Sequence, residues 1–219
     1  MFKKFTTLAV VATVTLAMPT DFNQSAELPV ATDYPMPTIP ANFEASSYSY
    51  MWANGRLAPT NEFSNQRWSS TLNKIYEENG VIDADSGDEV VQSAEATDAT
   101  AHTAVEYNEG KACYTATNVQ VDSVQYTIST FFNQFTYAGT QYAPWELTRV
   151  KYHRLDGKGV QYYYKQSNLE LRFFVELVSE TTSKVHDFSA GLVQKTFTDA
   201  DFVVSQCQAA PAEPTPFLQ

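Results

Sequence analysis

Residues 169–178 read Leu-Glu-Leu-Arg-Phe-Phe-Val-Glu-Leu-Val, and this run limits the fold more than any other part of the chain. Leu169, Leu171, Phe173, Val175 and Leu177 fall on every second position, with Glu170, Arg172, Phe174, Glu176 and Val178 between them. A period of two marks a strand with one dry face and one mostly wet face. The sequence therefore predicts the Phe173 side buried and the side of Glu170, Arg172 and Glu176 exposed. Phe174 is the aromatic exception on the charged side, and a cross-strand contact with Tyr163 accounts for it. The preceding run puts Val160, Tyr162 and Tyr164 on one side and Gln161, Tyr163 and Lys165 on the other. Apolar faces of this kind need a cover: a second sheet, a helix or a ligand.

Similar alternation recurs along the chain. In residues 41–52, Phe43, Ala45, Ser47 and Ser49 share one face, with Glu44, Ser46, Tyr48 and Tyr50 on the other. Asn54-Gly55 is a hairpin-turn dipeptide. Trp68, Ser70 and Leu72 then alternate with Arg67, Ser69 and Thr71, and Asn79-Gly80 reads as the next turn. Two short strands flank Asn108-Glu109-Gly110. Three later runs, separated by turn signals at Asp156-Gly157 and Gln166–Asn168, make an antiparallel meander. One segment differs. A helix from about residue 124 would gather Val124, Ile128, Phe131, Phe132 and Phe135 into one stripe, with Asp122 or Ser123 as its cap. Its β-branched and aromatic content pulls toward strand, but no turn signal interrupts it, and the helical reading is favoured. The fold class is mainly antiparallel β, with roughly eight to eleven strands, one or two short helices and no parallel crossovers.

Composition narrows the function. The net charge of −11, from 14 basic and 25 acidic residues, argues against nucleic acid and against electrostatic docking on anionic membranes. Lys3 and Lys4 precede an apolar, small-residue-rich run from Phe5 to Met18, with Thr15 and Ala17 before a cleavage point. Residues 1–17 read as a secretory signal peptide, and no second apolar run is long enough for a membrane span. Residues 18–37 form an extended, Pro-containing N-terminal segment with a glycosylation sequon at Asn23. Residues 209–219 form a Pro-rich tail. The folded domain is placed at 38–208. In an extracellular setting the two cysteines, Cys113 and Cys207, read as one intrachain disulfide tying the middle of the sheet to its last strand. Free thiols and bonds to partner chains are the alternatives.

No catalytic motif appears: no nucleophile elbow, no zinc-protease helix and no phosphate loop. His153 reads as a hydrogen-bonded strand histidine. His186 and Asp187 are strand neighbours and point to opposite faces, which argues against a base and its orienter. The acidic loop with Asp83, Asp85, Asp88 and Glu89 misses the calcium-loop spacing, because Gly87 is fifth and Ala94 twelfth from Asp83. The expectation is a non-enzyme with no cofactor and no metal.

The segment order resembles the secreted eukaryotic relatives of the bacterial lipoprotein-carrier fold, the LolA-like and ependymin-related proteins. The resemblance rests on "IPANFEASSYSY", "FSNQRWSSTLNKIY", "VEYNEGKACYT", "GVQYYYK", "LELRFFVEL" and "HDFSAG" followed by "FTDADFVVSQC", with Phe197, Phe202 and Cys207 closing the pattern. Together these span nearly the whole mature chain. The resemblance implies a strongly curved sheet, a half-barrel, wrapped around one or two short helices. It also implies secretion and an apolar pocket for a lipid or other hydrophobic small molecule. Leu169, Leu171, Phe173, Val175 and Leu177 would line that pocket, with Phe131 and Phe135 from the covering helix; the register of the "QYYYK" strand stays open. Ependymins also bind calcium and carry sugar, whereas this chain has only two cysteines and one sequon. A second reading is a cell-surface or matrix component that self-associates through its sheet.

Overall fold

The computed structural model describes residues 34–146 and 148–208. The signal-peptide, Asn23 and Pro-rich-tail readings fall outside these residues. Twelve strands form one antiparallel sheet: β1 (Asn42–Ala53), β2 (Arg56–Ser69), β3 (Lys74–Ile82), β4 (Glu89–Asp98), β5 (Thr103–Asn108), β6 (Tyr114–Thr117), β7 (Thr136–Tyr142), β8 (Lys151–Gly157), β9 (Val160–Lys165), β10 (Leu171–Ser179), β11 (Thr182–Asp187) and β12 (Val193–Gln194). Their order is β6-β5-β4-β3-β2-β1-β11-β10-β9-β8-β7, with β12 added beside part of β1. The sheet stays open, with β6 and β7 at its edges. One helix, α1 (Val124–Thr130), runs on into a 3-10 turn at Phe131–Gln134. No helix among the described residues is long and apolar enough to cross a membrane.

Local sequence explains most of the joints. Asn54 and Gly55 both take positive φ, 51° and 73°, as the tight turn between β1 and β2 requires. The β8–β9 turn falls at Lys158-Gly159, two residues later than the sequence predicts, and Asp156 and Gly157 belong to β8. Asn79-Gly80 is not a turn at all but lies inside β3. Gly80 sits opposite Phe63, and a Cβ there would lie 2.7 Å from the Phe63 ring and also strike the Val90 carbonyl oxygen. The glycine therefore serves close packing of a ring against backbone. Gly80→Ala is expected to cost about 1–3 kcal/mol through overpacking, read as a lower urea midpoint at unchanged slope.

Over β8–β11 both faces of the sheet carry buried apolar side chains, which the alternation does not predict. The inner face, covered by α1, carries Phe43, Trp68, Leu155, Tyr162, Tyr164, Leu171, Phe174 and Phe188. The outer face carries Tyr152, Tyr163, Phe173, Val175 and Val185, packed by Trp52 and by Trp145 from the β7–β8 connection. Farther along the outer face, Tyr76 and Ala94 are covered by Phe197, Phe202 and Val204. These come from a C-terminal segment of 3-10 turns (Asp199–Phe202 and Ser205–Cys207) rather than from a last strand. A capping box between Thr198 and Asp201 starts it. The disulfide Cys113–Cys207, with its Cα atoms 5.6 Å apart, fastens this segment to the β5–β6 connection. The pairing is as the sequence predicts; its anchor is a 3-10 turn.

β10 shows why the predicted face is mixed. Leu171 pairs with Tyr164, but Phe173 pairs with Tyr163, so the register slips by one residue at Arg172. This β-bulge sends Leu171 inward and both Arg172 and Phe173 outward. Phe174 then turns inward and pairs with Tyr162, not with Tyr163. Arg172 lies over the Phe173 ring at 4.9 Å and is ion-paired to Asp187.

Candidate functional site

Helix α1 is built by few but specific contacts. The Ser123 hydroxyl accepts from the Tyr126 N–H, closing the N-terminus, and the Asn73 side-chain oxygen accepts from the Val124 N–H at 2.8 Å. Seven residues of helix are not stable alone, so packing holds the element in place. Val124 and Phe132 are buried in the inner core, and Ile128 and Phe131 are half-buried. The chain leaves the 3-10 turn at Phe135, whose ring rests against Gly157. Phe131, Phe132 and Phe135 converge on Tyr162 with ring centroids 5.4, 5.5 and 5.0 Å away, all nearly perpendicular. Such edge-to-face contacts add to the area each ring buries. Burial drives the Tyr162 hydroxyl's pKa far above its ordinary value.

Between α1 and the sheet lies an apolar cavity of about 50 Å³. Ile39, Phe43, Trp68, Phe131, Tyr162 and Leu171 are among its walls, with Ile128 and Phe132 from the helical side. The volume equals one or two waters at about 30 Å³ each, well below the roughly 300 Å³ of small-molecule sites. As it stands the seam is nearly filled.

The residues named from sequence are distributed over this geometry. Phe131 and Leu171 line the cavity, and Phe135 belongs to the core beside it. Leu169 lies before β10 with φ of +59° and packs at the edge of the inner core. Phe173 and Val175 face outward, away from α1, because of the Arg172 bulge. Leu177 is 44% exposed. The charged side also differs from expectation: Glu170 is paired with Lys165 at 2.8 Å, and Glu176 is buried. Cavity walls not named as site residues from sequence include Trp68 and Phe188. Trp68 belongs to an alternating run that pointed to a buried face, whereas Phe188 lies just beyond β11 and gave no signal.

Glu176 belongs to a polar chain across three strands. The His186 Nε2 lies 2.8 Å from its carboxylate, and Nδ1 lies 3.0 Å from the Ser49 hydroxyl. Ser49 pairs with His186 across β1 and β11, which fixes the row. The His186 ring also packs on Phe174 at 5.2 Å. A serine, a histidine and a carboxylate in series have the components of an acyl-transfer triad. All three are buried, and none lines the α1 cavity or the larger outer-face cavity. The geometry is that of a satisfied polar core. His153 is likewise held, by the Tyr137 hydroxyl at 2.8 Å, and burial lowers its pKa.

Toward β3–β5 a row of carboxylates, Glu77, Glu95 and Glu106, lies in direct cross-strand register. Burial and then the neighbouring Glu106 charge raise the pKa of Glu95, against a lowering by its hydrogen bond from Thr97. In the acidic loop, the Asp83 carboxylate accepts from the Asp85 and Ser86 N–H groups, which lowers its pKa. Among the described residues no three or more His, Cys, Asp or Glu side chains are placed to hold a metal ion.

No family model matches the chain, and no curated protein matches it. Solved structures do. One is an uncharacterized conserved protein from Thermus thermophilus, 10% identical, covering 79% of this chain and 87% of that one with a TM-score of 0.44. Another is a DUF1329 family protein from Desulfovibrio piger, also 10% identical, covering 77% of this chain and 92% of that one with a TM-score of 0.33.

Proposed function

We infer that the protein is a secreted carrier that shelters a lipid or other hydrophobic molecule between α1 and the inner face of the sheet. The observation that carries this reading is the seam itself: an apolar cavity walled by aromatic and aliphatic side chains under a seven-residue helix. A seven-residue helix held by packing, its Ser123 cap and one bond to Asn73 is an inexpensive element to move, and the walls it uncovers are apolar. The disulfide agrees with an oxidising compartment. The resemblance of the segment order to LolA-like and ependymin-related proteins points the same way. No chemical step is assigned: the carrier holds and releases.

Delipidated protein is expected to take up a fluorescent fatty-acid probe saturably, and Phe131→Ser is expected to weaken that uptake at least about tenfold. The loss corresponds to about 1.4 kcal/mol of contact energy. Organic extraction of protein purified from a eukaryotic secretory host, followed by mass spectrometry, should recover a lipid in stoichiometric amount. Protein that is isolated empty and takes up no probe overturns the reading.

The two free edges favour one alternative. Strand β6 ends the sheet with Tyr114 62% exposed, and β7 ends it with Tyr142 52% exposed. Unpaired edges are templates for further strands, so a matrix or cell-surface role through self-association would appear as concentration-dependent light scattering. A strict monomer at high concentration removes it.

A further inference from the structure

We propose that the outer face of the sheet carries a second, separate ligand site, built for a sugar ring. It is a cavity of about 420 Å³ over β7–β9, the β10–β11 turn and the adjoining ends of β1 and β11, within the roughly 300–1,000 Å³ range of small-molecule sites. Trp52, Tyr142 and Trp145 supply aromatic wall, and Gln141, Arg154 and Gln161 supply polar floor.

The floor is pre-organised. The Arg154 guanidinium donates to the Gln141 side-chain oxygen at 3.1 Å, and the Gln141 amide donates to the Tyr163 hydroxyl at 3.0 Å. The Tyr163 hydroxyl in turn donates to the Gln161 oxygen at 3.1 Å. This chain fixes both amides in one orientation and leaves the Gln161 NH2 group pointing its donors elsewhere. Arg154 is ion-paired to Asp156, so the floor presents hydrogen-bonding groups with little net charge. The walls are set at angles. Trp145 meets Trp52 at 67° and Tyr163 at 72°, so the indole faces are not stacked on one another. The Trp145 indole N–H is itself buried, so the ring borders the cavity with its apolar carbon surface.

Aromatic walls beside amides held in one orientation suit one chemical class. A pyranose offers an apolar C–H face for stacking and a ring of hydroxyls that both donate and accept. A lipid chain would offer no acceptor to the remaining Gln161 NH2 donors. A quaternary ammonium would find aromatic wall and the Glu180 carboxylate but would also face the Arg154 guanidinium.

The test is saturation-transfer NMR on the intact protein with methyl glycosides of the common hexoses, N-acetylglucosamine and their disaccharides, and with choline as a separate arm. At least one glycoside is expected to show saturable transfer and to shift tryptophan fluorescence. Gln161→Ala is expected to weaken it about tenfold through one lost hydrogen-bonding group. Trp52→Ala should abolish it, and Phe131→Ser should leave it unchanged. The last comparison separates this site from the lipid site: fatty-acid uptake should survive Gln161→Ala. Transfer to no glycoside at millimolar concentration overturns the proposal. So does transfer that Gln161→Ala and Trp52→Ala both leave intact, or binding of choline alone.

Discussion

Glu176→Ala is expected to destabilise the protein by about 1–3 kcal/mol, the range for leaving a buried polar group without its hydrogen-bond partner. His186 is fully buried, and Glu176 is the acceptor at its Nε2. The truncation leaves a polar ring nitrogen without a partner inside an aromatic core. Glu176→Gln keeps an acceptor at the same position and should recover a large part of the loss. Urea melts of the two single variants, of His186→Phe and of the double variant His186→Phe/Glu176→Leu would decide the matter. The double variant is expected to be more stable than Glu176→Ala alone. A cost below about 0.5 kcal/mol for Glu176→Ala, the usual range for a solvated surface glutamate, would mean that the row through Ser49, His186 and Glu176 is not formed.

Breaking the disulfide is expected to have a larger effect. The bond closes a 94-residue separation, and the chain-entropy relation assigns about 4–5 kcal/mol to a loop of that length. The paired substitution Cys113→Ser/Cys207→Ser should lower stability by that amount. Because Cys207 anchors the segment that covers Tyr76 and Ala94, the variant should also lose hydrogen-exchange protection first along β3–β5. Uniform loss across the sheet would show that the bridge acts only on the unfolded chain.

Much of this architecture was legible in the residues. The β1–β2 hairpin is written in Asn54-Gly55, the helix in the spacing of Val124, Ile128 and Phe132 behind Ser123, and the disulfide in an even cysteine count. The candidate site was only half legible. Phe131 and Leu171 could be found from their positions on apolar stripes. Phe173 and Val175 could not be assigned to a face, because a bulge has no period of its own: Arg172 shifts the phase without changing the pattern. Alternation also assumes that only one side buries apolar residues, and β8–β10 bury them on both. Trp145 lies in a connection and covers Phe173 from outside at 5.5 Å, which no strand pattern encodes. Gly80 misled for a related reason. The residue that frees a backbone to turn also frees it to be approached, and Asn-Gly looks the same in either case.

The alternation of β9 has a consequence for how the two faces of the molecule are kept apart. Tyr162 points into the α1 seam, while Gln161 and Tyr163 point into the outer cavity. Successive residues of one strand thus form a single partition, one backbone thick, between two compartments. The three phenylalanine rings around Tyr162 lie on one side of this partition, and the hydrogen-bond chain from Arg154 to Gln161 lies on the other. The two compartments share no lining residue, so a single strand lets each be altered by substitution without removing a wall of the other.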